Sequence, residues 1–174
     1  MKDTSPLHHL FDLGNLSLAG SVVTVQAGGD ELARIAEWVG VEAVRAFGGT
    51  VTLRRISRTH FEFEADLEAD IVQRCVVTLE PMEAHIARHI ARELQFVPRA
   101  QPVEGELTLA AGDDDVPETI TSLDYDLAAP LLEELVLAID PYPRKAGAAF
   151  EAPAEPDDAP ESPFAVLKSL KEQG

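Results

Sequence analysis

From Phe61 to Pro81 the chain reads FEFEADLEADIVQRCVVTLEP, with apolar Phe61, Phe63, Ala65, Leu67, Ala69 and Ile71 alternating with acidic Glu62, Glu64, Asp66, Glu68 and Asp70. A period of two over that length predicts a long strand with one buried and one wetted face. The strand runs into Gln73-Arg74-Cys75 and has stopped by Pro81, which has no N–H to give a ladder. Upstream, residues 41–56 are strand-like around Gly48-Gly49. Phe47, Gly49, Val51 and Leu53 keep one parity, which favours a single strand with a bulge or kink at the glycines over a tight turn there. Ser57 to His60 then closes a hairpin, with Thr52 and Arg54 on the wet face beside Glu62 and Glu64, where opposite charges support pairing. Ser21 to Ala27 is a further β-rich run.

Two segments carry a helical period instead. Leu32, Ile35, Ala36 and Val39 make an apolar stripe bounded by Asp30 as N-cap and Gly40 as stop, with Trp38 at the stripe's edge as a core-margin anchor. Between Asp126 and Asp140, Leu127, Leu131, Leu135 and Ile139 form a stripe widened by Leu132 and Val136, with Glu133 and Glu134 facing away. Pro130 sits close to the start, so the helix begins a residue or two after Asp126 or has a distorted first turn. Residues 82–97 fit either period. Ile86, Ile90 and Leu94 share a face in a helix or in a strand, and the choice decides the chemistry of His85 and His89. On a helix those imidazoles can hold one metal ion. On a strand they stand about 13 Å apart and cannot.

The rest of the chain reads as connection and extension. Residues 1–20 look like an extended lead-in. Leu107-Thr108-Leu109 suits a short edge strand, and Gly112 to Glu118 is an acidic loop without calcium-loop spacing. The stretch 147–162, rich in alanine, proline and acid, predicts a flexible tether. After it, Ser162 and Pro163 start a short helix whose apolar face is Phe164, Leu167 and Leu170, with Lys168 and Lys171 beside it. So short a helix is marginal alone and requires a surface to dock on, either its own domain or a partner. The expected organisation is an α+β domain over 1–146, a tether over 147–162 and a C-terminal helix over 163–174.

Charge and cysteine content narrow the chemistry. The 174 residues hold 31 acids and 14 bases, a net charge of −17, which disfavours a surface that binds nucleic acid throughout. The charge is uneven, however. Arg45, Arg54, Arg55, Arg58, Arg74, Arg88, Arg92 and Arg99 balance the acids of their segment, whereas 101–126 carries acids and no base. One cysteine excludes an internal disulfide and an all-thiolate zinc site within one chain. The N-terminus has no apolar signal-like run, and no stretch is long and apolar enough for a membrane span. A cytoplasmic setting is expected.

The ordered set of features resembles the bacterial YceD family, the large ribosomal RNA subunit accumulation proteins, which have plastid relatives. The resemblance rests on Gln73-Arg74-Cys75 at the end of a long strand, an acidic loop, a leucine-rich helix ending in Asp140-Pro141-Tyr142-Pro143-Arg144, an acid-proline tether, and the terminal Pro163-Phe164-Ala165-Val166-Leu167 with Ser169-Leu170-Lys171. The C-x-x-C pair common in the family falls on Val72 and Cys75. This chain keeps only the second thiol, so no role that needs two is available to it. The resemblance implies β structure over 82–97 and a part in large-subunit ribosomal RNA accumulation, and it implies no enzyme activity.

The expected protein is therefore α+β: a mostly antiparallel curved sheet or partial β-barrel, two packed helices and a tethered short C-terminal helix. It is a non-catalytic ribosome-assembly factor without metal or cofactor. Its partner is precursor large-subunit ribosomal RNA or a basic ribosomal protein, not DNA and not a membrane. Two routes fit: an arginine patch of Arg45, Arg54, Arg55, Arg58 and Arg74 for phosphate, or an acidic surface that holds a basic protein. Arg144, Lys145, Phe164, Leu167 and Leu170 are further candidate contacts. The rivals are a metal-dependent enzyme built on His85 and His89, and an interaction adaptor working through the terminal helix.

Overall fold

The computed structural model describes residues 5–98 and 116–149. The long alternating run is strand β4 (His60–Arg74), the middle of a five-stranded sheet with β2 (Ser21–Gln26), β3 (Ala43–Arg55), β5 (Pro81–Phe96) and β6 (Glu118–Ile120) in the order β2-β3-β4-β5-β6. All neighbours are antiparallel except β5 and β6. The sheet does not close into a barrel. A small second sheet pairs β1 (Leu10–Asp12) with β7 (Asp124–Asp126). Helix α1 (Gly29–Val39) lies against β3, and α2 (Ala128–Ala138) against β4 and β5.

Parity explains which side of the sheet is covered. Phe61, Phe63, Ala65, Leu67, Ala69 and Ile71 of β4 are all buried, in one cluster with Phe47, Val51 and Leu53 of β3, Ile86, Ile90 and Leu94 of β5, Ile35 of α1 and Leu131 and Leu135 of α2. Leu13 and Leu16 of the lead-in join the same core, so residues 10–16 form a strand and a 3-10 turn where an extended arm was expected. Both helices therefore share one face of the sheet. The other face carries the acids.

Most expected elements fall within a residue or two of their places, and the differences have local causes. Residues 82–96 are a strand: β5 pairs along its whole length with β4, and the spacing of four along it is strand parity. Residues 43–55 are one strand, but its irregularity lies between Val44 and Ala46, not at the glycines, so Arg45 is the extra residue. His60 already belongs to β4 and accepts at its carbonyl from the N–H groups of Ile56 and Ser57 to close the hairpin. Gly28, not Asp30, is the N-cap of α1, and the Glu31 carboxylate accepts from the Gly28 N–H at 2.9 Å. Gly40 ends that helix at φ 75°, a conformation natural to glycine. Trp38 is 46% exposed and anchors no core margin.

In α2, Pro130 is the third residue, where a missing N–H removes nothing from the helix. Val136 is exposed and does not widen the stripe. Glu133 and Glu134 do not face away. Glu133 accepts from Arg92 at 2.7 Å and Glu134 lies 3.8 Å from Arg88, so the two glutamates tie the helix to β5. Arg92 also reaches Glu118 at 3.3 Å, which holds β6 at the same place.

Asp126 joins the lead-in to the start of α2. Its Oδ1 accepts from the N–H of His9 at 2.8 Å and of Ala128 at 3.1 Å, and its Oδ2 lies 2.6 Å from His8 Nδ1. Burial alone would raise its pKa; the bonds from His9, His8 and Ala128 outweigh that and hold it below the ordinary carboxylate value. A depressed folded-state value stabilises the native protein above the ordinary range, about pH 4, and that contribution is lost as pH falls through the folded value. Urea unfolding of the wild type is therefore expected to weaken more steeply below pH 4 than that of Asp126→Asn. Parallel pH profiles would show that Asp126 carries no such linkage.

Candidate functional site

The sheet face that no described helix covers is organised by β4. Glu62, Glu64, Asp66, Glu68 and Asp70 project from it at every second residue, about 7 Å apart along the strand. Their neighbours follow from the register. Arg54 and Glu93 flank Glu62, Thr52 and Ala91 flank Glu64, Thr50 and His89 flank Asp66, Gly48 and Ala87 flank Glu68, and Ala46 and His85 flank Asp70. Asp66 and Asp70 each hold one imidazole, at 2.8 Å from His89 Nδ1 and 2.7 Å from His85 Nδ1. Arg54 lies 3.7 Å from Glu62, His60 3.1 Å from Glu93 and Arg45 2.7 Å from Glu83. These pairs are largely exposed, and exposed pairs contribute little to stability.

Glu64 and Glu68 have no ion-pair partner among the described residues. Beside Glu68, the short side chains of Ala46 and Gly48 leave a depression of about 260 Å³ that is also bordered by Thr24, Asp70 and His85. A cationic side chain entering it would meet two carboxylates and little steric opposition. Net negative charge persists across the face because the acids of β4, with Glu83 and Glu93, outnumber Arg45 and Arg54. The acids are hairpin partners, as expected, but only in part: on either side of Asp66, Glu64 and Glu68 are left without a cation among the described residues.

The candidate cations do not converge. Arg54, Arg55 and Arg58 lie at the β3–β4 turn, whereas Arg74, Arg144 and Lys145 lie at the other end of β4, about 40 Å away by strand rise. Several are also engaged. Arg55 donates to the carbonyls of Ser57 and Leu16, Arg74 to Glu42 at 3.2 Å, and Lys145 to Glu80 at 2.8 Å. Strand spacing also separates His85 from His89, each with its own aspartate, and no group of three or more metal-ligating side chains occurs among the described residues. Phe164, Leu167, Leu170 and the expected edge strand at 107–109 lie outside the described residues.

Cys75 sits in the turn between β4 and β5 and is fully buried, deeper than a semi-buried filler. Its Sγ accepts from the N–H of Lys145 at 3.3 Å and of Thr78 at 3.5 Å. The N–H of Lys145, followed by the bonds from Thr78, brings the thiol down to about 6, against the opposing effect of desolvation. The sulfur thus fastens the segment after α2 to the end of the sheet, next to the Val76 N–H bond to the Pro143 carbonyl at 2.9 Å. Val72, at the position of the family's other cysteine, is a buried side chain of β4.

A family model described as "Large ribosomal RNA subunit accumulation protein YceD" matches residues 63–171, more than half of the chain. The chain belongs to the YceD family. Its name ties the family to accumulation of large-subunit ribosomal RNA. The match to YceD begins within β4 and takes in β5, α2 and the Cys75 turn. No curated protein and no solved structure shows significant similarity to the chain. No helix among the described residues is long and apolar enough to cross a membrane.

Proposed function

We propose that this YceD protein is a non-catalytic assembly factor that acts in the cytoplasm and supports large-subunit ribosomal RNA accumulation by holding a basic segment of a ribosomal protein. The observation that carries this reading is the β4 carboxylate ladder on the sheet face opposite both described helices, with Glu64 and Glu68 lacking cationic partners among the described residues. Such a face repels phosphate and attracts lysine- and arginine-rich chain, steering its encounter at low salt. The separation of the arginines removes the support for the other route, in which a single basic patch meets RNA backbone. A basic ribosomal protein kept soluble until it meets its RNA would account for a change in RNA level without catalysis.

The test neutralises the middle of the ladder. The triple variant Glu64→Gln, Asp66→Asn, Glu68→Gln replaces the half-buried Glu64 and the exposed Asp66 and Glu68 by neutral side chains of nearly the same shape and is expected to keep wild-type stability. Binding of a lysine- and arginine-rich peptide, measured by calorimetry at 50 and 200 mM salt, is expected to weaken about tenfold in the variant, the sum of a few exposed pairs. In cells depleted of the protein, the variant is expected to leave large-subunit ribosomal RNA low while the wild type restores it. Unchanged peptide binding and full RNA rescue would sink the reading, and co-purification of RNA without a basic protein would favour the phosphate route.

A further inference from the structure

At the end of the sheet opposite the β3–β4 turn, three pieces of chain converge on a cleft of about 500 Å³. They are the C-terminus of α1, the end of β4 with its turn, and the segment after α2. Val39, Val41, Val76 and Ile139 give it an apolar strip beside the polar side chains of Glu42, Arg74 and Asp140, and Val76 is 44% exposed there. Tyr142 beside it is exposed as well. Apolar surface left open next to a built core calls for an occupant.

We infer that this cleft receives the chain's own C-terminal segment, residues 163–171, as a short helix with Phe164, Leu167 and Leu170 turned inward. This goes beyond the reading of the acidic face and does not depend on it.

The first argument is reach. The described residues end at Ala149, just after Val76 N–H has bonded to the Pro143 carbonyl and Lys145 N–H to Cys75 Sγ. The chain is thus fastened to the cleft wall shortly before the tether begins. A flexible chain of the length of 150–162 would span about 20 Å on average, enough to bring residue 163 back over the cleft at millimolar effective concentration. A helix over 163–171 is about 13 Å long, and alone it is too short to be stable.

The second argument is charge. Both α1 and α2 end at the cleft, where their carbonyl ends carry partial negative charge; of the charged side chains lining it, Glu42 is paired with Arg74 and Asp140 is left as the net negative group. Lys168 and Lys171 flank the apolar face of the terminal segment and meet that charge. The tether is the reverse. Its Glu151, Glu155, Asp157, Asp158 and Glu161 follow in sequence on Arg144, which has no ion-pair partner among the described residues, and Lys145. A tail docked in this cleft would set each of its halves against opposite charge.

Methyl-labelled full-length protein tests the inference by NMR. In the wild type, contacts are expected between the Phe164 ring and the Val76 methyls, and they are expected to be lost in Leu167→Asp. That variant and Phe164→Asp should shift the same cleft methyls, those of Val39, Val41, Val76 and Ile139, and leave Val51 and Leu53 in the core unmoved. Val76→Glu gives the reciprocal: the Leu167 and Leu170 methyls acquire the narrow lines of a free chain. Cleft methyls that ignore both tail substitutions, or Leu167 and Leu170 methyls that ignore Val76→Glu, would overturn the inference. So would contacts that appear only as concentration rises together with a dimer in sedimentation, because the occupant would then be a second copy's tail. None of these readouts involves a ribosomal partner, so this inference and the proposed function fail separately.

Discussion

Phe63→Ala is expected to destabilise the protein by about 3–5 kcal/mol, the range for removing a buried phenylalanine. Phe63 has no exposure and lies in the middle strand of the sheet, facing the helices. Its ring meets Tyr125 edge-on, with centroids 6.1 Å apart and planes at 70°. Tyr125 belongs to β7, so the pair joins the large sheet to the small one, and such a pair adds about 0.5–1.5 kcal/mol beyond burial. Burial, and then the nearby Glu118 charge, push the Tyr125 hydroxyl well above its usual range, so it stays a neutral donor to Glu118 at 3.4 Å. A domain of this size has about 5–15 kcal/mol in total. The variant should therefore unfold at a much lower urea midpoint, followed by circular dichroism, and β1 should loosen with β7. Val22→Ala on the open face, where Val22 is 68% exposed, should move the midpoint by no more than about 0.5 kcal/mol in stability. Equal shifts for the two would mean that the core is not centred on β4.

The contrast between those two positions is also where sequence reading works well. Strict alternation over β4 identified the buried and wet faces residue by residue, and it set Thr52 and Arg54 on the wet face with Glu62 and Glu64. Three things were not legible, each because it depends on partners distant in sequence. Ile86, Ile90 and Leu94 satisfy both periods, so their spacing does not decide; the family resemblance pointed to the strand, and the ladder with β4 shows it. Glu133 and Glu134 lie away from the leucine stripe on a helical wheel, yet Arg88 and Arg92 reach them because α2 crosses β5. Arg54 and Arg74 read as one basic segment, but a strand spends about 3.3 Å per residue, and so places them at opposite ends.

The candidate face shows the same limit. Alternation says that Glu62 to Asp70 are wet and cannot say whether another layer lies over them. That follows from both helices packing on the opposite side, which the leucine stripes do not specify. The parity of His85 and His89 with the small residues Ala87 and Ala91 was the available signal for an open, shallow face. It becomes readable only once β5 is known to be a strand. The Cys75 turn was marked by the resemblance, but its fastening of the segment after α2 requires Lys145, far along the chain, to donate to the sulfur.

Gly49→Val is the other large effect expected, and it probes how the helix layer is seated. Gly49 faces the core side of β3, opposite Leu67. A Cβ there would stand 2.8 Å from the Asp66 carbonyl oxygen and 3.2 and 3.3 Å from the two methyls of Leu131. The carbonyl is part of the β3–β4 ladder and cannot retreat without breaking it. Leu131 is fully buried in α2. The helix must therefore move outward, weakening the Arg92–Glu133 and Arg88–Glu134 ties that hold it to β5. Overpacking of this kind costs about 1–3 kcal/mol, and the branched valine places the variant at the upper end. Gly29→Ala is the matched control. Nothing lies within 4 Å of its added Cβ, and it starts α1, so it should leave stability unchanged or raise it by about 0.4–1 kcal/mol. If Gly49→Val unfolds at the wild-type midpoint, Leu131 does not rest on the sheet at this glycine, and the seat of α2 lies elsewhere along β4.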